Sequence, residues 1–374
     1  MSKKLPVISW IINNRCNLKC VHCYTGSIQN EELRPDYSEK DIKLMAENIG
    51  SVNPELVVIS GGEPLIDKDL PVFLREARKI ASDDLWLCSN GMLLSDKSVK
   101  LLKKSGVTGV TLSLRHPDPL KEAKISQNDE VYKRVLSAIK KLKHAGIQVA
   151  LEMTIMKLNY DSVDGFINLC IDNKVNTITF KRFRPIGRGK ENNLTLSKTK
   201  QKQVLHHIFL KAKNNPELNI KVHDPLYSLE IDEYLKNHKK KNDLPCYMRS
   251  FSYVKESTVL NFDCCSNVKP NENEPERYWG CKAGVEWVGI DPLGNVSPCP
   301  LLLYTGLIIG NIREKSLADI METSSAIKAL RNGYENGKCL KSKICGGCRS
   351  HAAATGRGYL SKDPMCSQKC AECF

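Results

Sequence analysis

Asn13-Asn14-Arg15-Cys16-Asn17-Leu18-Lys19-Cys20-Val21-His22-Cys23-Tyr24 is the segment that decides the interpretation of this chain. It follows an apolar run, residues 7–12, which is typical of a buried strand. Its three cysteines have the spacing C-x3-C-x2-C, and thiolates so close on one loop can hold three irons of a four-iron cluster. The fourth iron would stay open to a small molecule. The alternative is a zinc site that adds His22, because zinc also takes thiolate and imidazole ligands.

The overall composition is that of a globular protein with many cysteines. The chain has 374 residues, of which 41% are hydrophobic and 26% charged, enough for one large core and a smaller unit. No apolar run reaches the ~18 residues of a membrane span, and residues 1–6 are too short for a signal peptide. We therefore expect a cytoplasmic protein with no membrane contact, whose 16 cysteines bind metal instead of forming disulfides.

The formal net charge of +14 favours an acidic partner, although a lysine-rich solvated surface explains it equally well. Thiolate-bound clusters would lower the working value to about +9. The lysine run at 238–242 is interpreted as a solvated face, so nucleic acid is not the expected partner.

Strand-like and helix-like segments alternate over the first half of the chain. The predicted strands are residues 7–12, 56–59, 85–88, 109–114, 147–154 and 176–180. The predicted helices are residues 38–49, 69–80, 95–104, 129–144, 162–173 and 197–213. Six such units predict an α/β fold, a partial (β/α)6 TIM-like barrel over residues 1–215. Residues 216–262 are expected to connect it to a small cysteine-rich domain, 263–374, which metal clusters organise.

Chemistry-bearing residues follow the predicted strands, and barrel sites lie at the carboxyl ends of strands. Ser60-Gly61-Gly62-Glu63-Pro64 follows the second strand, and its glycines allow the backbone to approach a ligand closely. Ser89 and Asn90 follow the third strand, and Ser113 belongs to the fourth. Segment 181–189 follows the sixth strand with four cations, and its guanidinium groups match carboxylate geometry.

Ten cysteines cluster in the last third of the chain. They are Cys264, Cys265, Cys281, Cys299, Cys339, Cys345, Cys348, Cys366, Cys370 and Cys373. Their C-x2-C pairs serve both iron–sulfur clusters and structural zinc. Cys88 lies in a predicted strand and Cys170 in a predicted helix. We expect both to be buried and to pack as small hydrophobic residues.

The first cysteine loop resembles the signature of the radical S-adenosylmethionine (AdoMet) superfamily. The resemblance implies that Cys16, Cys20 and Cys23 hold a catalytic 4Fe-4S cluster whose open iron chelates AdoMet. It also implies AdoMet contacts from a second set of residues. That set is Gly61, Gly62, Glu63, Ser89, Asn90 and Ser113. Arg182 and Arg184 would bind a carboxylate of AdoMet or of the substrate.

The C-terminal cysteines resemble the SPASM auxiliary-cluster module, starting with Cys281-x12-Gly294-x4-Cys299. The pattern is similar to quinone-cofactor and mycofactocin peptide maturases and to radical enzymes of alternative haem synthesis. It implies one or two auxiliary iron–sulfur clusters. Cys281, Cys299 and Cys348 would hold an inner cluster, with Cys264 or Cys265. Cys339, Cys345 and Cys366 would hold an outer one, completed by Cys370 or Cys373, because Asn336 occupies a position where a cysteine is expected.

These resemblances imply a mechanism. An electron from ferredoxin or flavodoxin would cleave AdoMet, and the resulting 5′-deoxyadenosyl radical would take a hydrogen atom from the substrate. A peptide side chain is the first expected substrate, presented by a separate carrier protein because the motif begins at residue 16.

Two alternatives remain. The first is an acidic tetrapyrrole that loses side-chain carboxylates, with Arg115, His116, Arg182 and Arg184 supplying positive charge. The second is a zinc- or nucleic-acid-binding protein built on cysteine knuckles. Iron and zinc analysis distinguishes this last class from the other two.

Overall fold

The structure is a computed structural model that describes residues 7–27, 35–237, 280–339, 341–342 and 344–368. The strands of this part are β1 Val7–Ile11, β2 Leu56–Ser60, β3 Asp84–Ser89, β4 Gly109–Ser113, β5 Gln148–Ile155, β6 Thr177–Arg182, β7 Ile220–His223, β8 Trp287–Ile290, β9 Asn295–Ser297 and β10 Gly310–Asn311. They form one sheet in the order β10-β9-β8-β1-β2-β3-β4-β5-β6-β7.

The helices lie between these strands and after them. They are α1 Glu39–Gly50, α2 Leu70–Ile80, α3 Asp96–Lys104, α4 Pro119–Ser126, α5 Val131–His144, α6 Val163–Asp172, α7 Lys198–Asn214, α8 Tyr227–Asn237, α9 Pro300–Leu303, α10 Leu317–Thr323, α11 Ser325–Asn336 and α12 Arg349–Ala354. Two short 3₁₀ helices, Pro64–Ile66 and Gly187–Asn192, follow β2 and β6. The helix starts follow local chemistry, as at α1, where Ser38 and Asp41 form a capping box.

The parallel α/β core expected from the sequence is confirmed. Strands β1 to β7 are parallel neighbours in chain order. The structure adds β7 to the six predicted strands, within the segment interpreted as a connection. It also adds β8, from the cysteine-rich region, which pairs in parallel with β1. The cysteine-rich region is thus joined to the barrel through the sheet itself.

The sheet curls until distant strands meet. The rings of His223 on β7 and Trp287 on β8 contact each other edge to face, with centroids 5.6 Å apart, although six strands lie between them in the sheet order. One face of every barrel strand packs against the helices in the main core. The opposite, concave face is apolar at the amino end, where Trp86 lies across Gly109.

No helix of the described residues is long and apolar enough to cross a membrane.

Candidate active site

The cysteine loop, residues 12–27, leaves the carboxyl end of β1 and is held by the segment that follows β6. Arg188 donates from Nη1 to the carbonyl of Cys20 at 3.1 Å and from Nη2 to that of Ser27 at 2.7 Å. Asn192 donates to the carbonyl of Val21 at 2.8 Å. Gly187 has φ +59°, and a Cβ there would meet the carbonyl oxygen of Tyr24 at 2.4 Å. The close approach of the two segments therefore requires glycine at 187.

The thiols of this loop lie close together and are partly shielded from solvent. Burial raises the pKa of Cys16 to about 11 and that of Cys20 to about 12. The charges of Cys16 and Cys23 add to the rise at Cys20, while Arg115 opposes it. Three neighbouring thiols that resist ionisation on their own are a donor set that a bound cation would convert to thiolates. The residues present thus fit an iron–sulfur cluster.

Glu63 ties the loop after β2 to the loop after β3. Its carboxylate accepts hydrogen bonds from the backbone N–H of Asn90 at 2.7 Å and from the hydroxyl of Ser89 at 3.0 Å. It is fully buried, and burial raises its pKa to about 7 although these hydrogen bonds lower it. Asn90 in turn donates to Asn17 Oδ1 at 2.8 Å. Glu63 thus orients Ser89 and Asn90 beside the cysteine loop.

The two glycines before Glu63 permit contact between loops of the protein itself. A Cβ on Gly61 would meet Asn13 Oδ1 at 2.7 Å, and one on Gly62 would meet the carbonyl oxygen of Arg15 at 2.1 Å. The backbone N–H groups of Gly62 and Glu63 donate to the carbonyls of Asn13 and Arg15. From the sequence, these glycines are expected to allow the close approach of a ligand. The structure shows that the approach of the cysteine loop alone requires them.

Charged side chains collect on the concave face of β5 and β6. Lys181 Nζ lies 2.5 Å from Glu152 Oε2, and Arg115 Nη2 lies 3.7 Å from Glu152 Oε1. Arg115 Nε also donates to His22 Nε2 at 2.8 Å, which links this group to the cysteine loop. Ser113 is paired in register with Glu152. The concave face therefore offers cations next to the cysteine loop.

The structure brings together Cys281, Cys299 and Cys348, the cysteines expected to form the inner group. Burial raises the pKa of Cys299 to about 12, and the neighbouring thiols of Cys281 and Cys348 contribute to that rise. Arg184 Nε lies 3.4 Å from Cys348 Sγ. Burial raises the pKa of Cys348, but Arg184 and Arg182 outweigh it and lower the value to about 7.

The outer group also comes together. Cys339, Cys345 and Cys366 line one small cavity. The backbone N–H of Cys281 donates to the carbonyl of Cys345 at 3.0 Å, so the inner and outer groups adjoin. The remaining candidate ligands, Cys264, Cys265, Cys370 and Cys373, lie outside the described residues, as does most of segment 216–262.

Arg182 and Arg184, which were expected to contact AdoMet or substrate, both have partners inside the protein. The Arg182 guanidinium is buried between Asp224, at 3.4 Å, and Asp363, at 2.6 Å. Arg184 donates to the carbonyls of Arg182 and His223 as well as to Cys348. Both arginines therefore join the barrel to the cysteine-rich domain.

His116 is buried. Its Nδ1 accepts from the backbone N–H of Asp118 at 2.9 Å, and its Nε2 lies 2.8 Å from Ser162 Oγ. Both ring nitrogens thus contact neighbouring groups of the protein, and burial lowers the pKa of His116, which disfavours the positive charge expected there.

Lys181, Arg188 and Asp363 were not singled out individually by the sequence, although all three lie in segments that were. Among the described residues, no three His, Cys, Asp or Glu side chains are arranged to hold one metal ion.

Comparison with known families agrees with this geometry. Residues 10–170 match the model of the radical SAM superfamily, and residues 281–349 match SPASM, an iron–sulfur cluster-binding domain. The chain is thus a radical SAM enzyme with a C-terminal SPASM domain. The expected family, fold class and cofactor class are confirmed, and the zinc-knuckle alternative is set aside.

Similarity to curated proteins extends over the whole chain. The AdoMet-dependent heme synthase of Methanosarcina barkeri is 25% identical, covering 98% of this chain and 97% of that protein. The AdoMet-dependent heme synthase of Nitratidesulfovibrio vulgaris is 23% identical, covering 98% of this chain and 94% of that protein.

Solved structures share the fold. Streptococcus suis SuiB bound to the precursor peptide SuiA has a TM-score of 0.72 at 19% identity, covering 98% of this chain and 77% of that one. Native anSMEcpe with bound AdoMet has a TM-score of 0.62 at 16% identity, covering 93% of this chain and 91% of that one. These likenesses concern the fold alone.

Proposed function

We propose that this enzyme oxidises a carboxylate-bearing tetrapyrrole and removes side-chain carboxylates as carbon dioxide. The observation that carries the proposal is the end-to-end similarity to the AdoMet-dependent heme synthase of M. barkeri, which covers 97% of that protein. A further relative, 30% identical over 53% of this chain, is an Fe-coproporphyrin III synthase. Peptide modification, the first expectation from the sequence, depends on solved structures that are at most 19% identical.

The cysteine loop would hold the catalytic cluster through Cys16, Cys20 and Cys23. When bound and reduced, this cluster cleaves AdoMet and so supplies the radical that takes a hydrogen atom from the substrate. Gly61 and Gly62 would receive the AdoMet amino group through their backbone, while Glu63 orients that loop from its buried position. Ser89, Asn90 and Ser113 would contact AdoMet from the neighbouring strand ends.

Electron balance requires an acceptor. Hydrogen-atom removal followed by loss of carbon dioxide leaves one electron in excess when a side chain becomes a vinyl group. The inner cysteines, Cys281, Cys299 and Cys348, and the outer ones, Cys339, Cys345 and Cys366, are proposed to hold the groups that receive it. The backbone contact between Cys281 and Cys345 supports transfer from the inner group to the outer.

An acidic ferredoxin or flavodoxin is the proposed electron donor, because the formal net charge of this chain is +14 and opposite charges speed encounter. The proposed compartment is the cytoplasm, whose reducing conditions keep cluster ligands as thiols.

The test is anaerobic reconstitution with iron and sulfide, followed by iron, sulfide and zinc analysis. Reduced enzyme is then incubated with AdoMet and either iron-coproporphyrin III or a candidate precursor peptide, and 5′-deoxyadenosine is measured. We expect iron-coproporphyrin III, and not the peptide, to raise the yield of 5′-deoxyadenosine. Each modified side chain of the porphyrin should lose one carbon dioxide and two hydrogens. C20A is the matched inactive control.

A yield raised only by peptide would replace the tetrapyrrole proposal with peptide modification. Zinc without iron would contradict both.

A further inference from the structure

We propose that Lys181 binds a carboxylate of the substrate at the carboxyl end of the barrel, with Glu152 and Arg115 orienting its ammonium group. This inference rests on the proposed function and deepens it, because it names the substrate group that is recognised and the residue that recognises it.

Strand alternation places Lys181 on the concave face. On β6, Ile178 and Phe180 pack in the main core beneath the helices, so Lys181 points the opposite way. On β5, Leu151 and Met153 do the same, which turns Glu152 to the concave side. The 2.5 Å contact between Lys181 and Glu152 agrees with this placement.

The pair lies in the same space as the cysteine loop. Cys88 lies on the concave face of β3, and burial raises its pKa. Lys181 lowers that pKa and Glu152 raises it, so both charged groups lie near Cys88. Arg115 bridges Glu152 and His22. A substrate atom held by Lys181 would therefore lie near the loop where the radical forms.

The local charges leave room for one anion. Arg115 and Lys181 are two cations that share the single carboxylate of Glu152. Glu122 lies beside the backbone of Arg115, whereas the described side-chain contacts of Lys181 include one carboxylate, that of Glu152. A ligand carboxylate would give Lys181 a second.

Lys181 is the accessible member of this group. Its side chain is 30% exposed, against 11% for Arg115 and 9% for Glu152. An ammonium group has three N–H donors, and the described contact with Glu152 uses one. Lys181 can therefore bind a second carboxylate while it stays paired with Glu152.

The experiment measures binding of iron-coproporphyrin III to full-length reconstituted enzyme by absorbance titration. K181M should weaken binding about 10- to 100-fold, the usual effect of losing a charged hydrogen bond, whereas K181R should retain most of it. The tetramethyl ester of the same porphyrin should bind wild type and K181M equally. K100M, which removes an exposed lysine on α3, should change neither affinity.

In K181M, the Glu152 carboxylate loses its ammonium partner, which could itself weaken binding. The double variant K181M/E152Q distinguishes this effect from loss of the ammonium group. It should bind the acid as weakly as K181M does, because neither variant has the ammonium group. Recovery of affinity in the double variant would overturn the proposal.

Other outcomes are equally decisive. Equal affinity of wild type and K181M for the acid would remove Lys181 from the site and leave the proposed function intact. A K181M defect confined to AdoMet binding would assign Lys181 to AdoMet and overturn the proposal. Failure of wild type to bind or convert the porphyrin would refute the proposed function and this inference with it.

Discussion

At the scale of single residues, Glu63 makes stability depend on pH. Burial raises its pKa from the ordinary 4.5 to about 7, so between these values the folded protein holds a proton that the unfolded chain has released. Stability gained from this proton is full below the ordinary pKa and falls as the pH rises through the window from 4.5 to about 7.

The variant E63Q cannot ionise and should lose this dependence. We expect the unfolding free energy of the metal-free wild type, relative to E63Q, to fall by about 3 kcal/mol across the window. Urea unfolding of both proteins between about pH 4.5 and 7.5 measures it. Parallel pH profiles for the two proteins would contradict the expectation.

Arg184 should tune the inner auxiliary site. Its Nε lies 3.4 Å from Cys348 Sγ, and hydrogen bonds to ligand sulfurs raise reduction potentials because they stabilise the more negative state. R184M should therefore lower the potential of one auxiliary cluster, measured by redox titration monitored by electron paramagnetic resonance. R357M, which removes an exposed arginine, should leave the reduction potentials of the clusters unchanged. An unchanged potential in R184M would mean that Cys348 is not a ligand.

The residue scale also shows what sequence can predict. Cys16, Cys20 and Cys23 are recognisable because their partners lie a few positions away. The partner of Arg182 is 181 positions away, at Asp363, and no local pattern records such a pair. From the sequence, Arg182 was expected to bind a ligand because it lies at a strand end. In the structure it contacts two carboxylates of the protein itself, those of Asp224 and Asp363.

At the scale of elements, the segment after β6 supports the cysteine loop. Arg188 alone donates to two loop carbonyls. R188M should release iron from the first cluster to a chelator about 10-fold faster, because charge-assisted hydrogen bonds are lost. The exposed neighbour Lys190 provides the control K190M. Equal release rates in R188M and wild type would show that the loop needs no such support.

The predicted helices and strands agree with the structure wherever one face is continuously apolar. Helix α8, Tyr227–Asn237, was missed, and so were β7 and α4, which are short or bury polar groups. Strand β7 has only four residues, and Lys221 and His223 alternate with Ile220 and Val222. Helix α4 buries the carboxylate of Glu122, which accepts the backbone N–H groups of Arg115 and His116. Both elements are specified by contacts that a hydrophobic pattern does not contain.

At the scale of the whole molecule, Arg182 connects the barrel to the cysteine-rich domain. It is buried between Asp224 and Asp363, so R182M would leave both carboxylates without their cation. We expect a loss of about 3 to 5 kcal/mol in unfolding free energy, measured by urea denaturation.

The surface pair of Arg134 and Glu130, at 3.7 Å, provides the control, because R134M should cost no more than about 1 kcal/mol. Similar losses in R182M and R134M would mean that the buried network contributes little.

The pairing of β8 with β1 has a consequence for how the chain is made. Trp287 Nε1 donates to Ser9 Oγ across 278 positions, so one edge of β1 stays uncovered while a ribosome adds the residues between them. The loop with Cys16, Cys20 and Cys23 begins at the end of that strand. The strand that leads into this loop therefore gains its second neighbour only after Ile290, the last residue of β8, has been added.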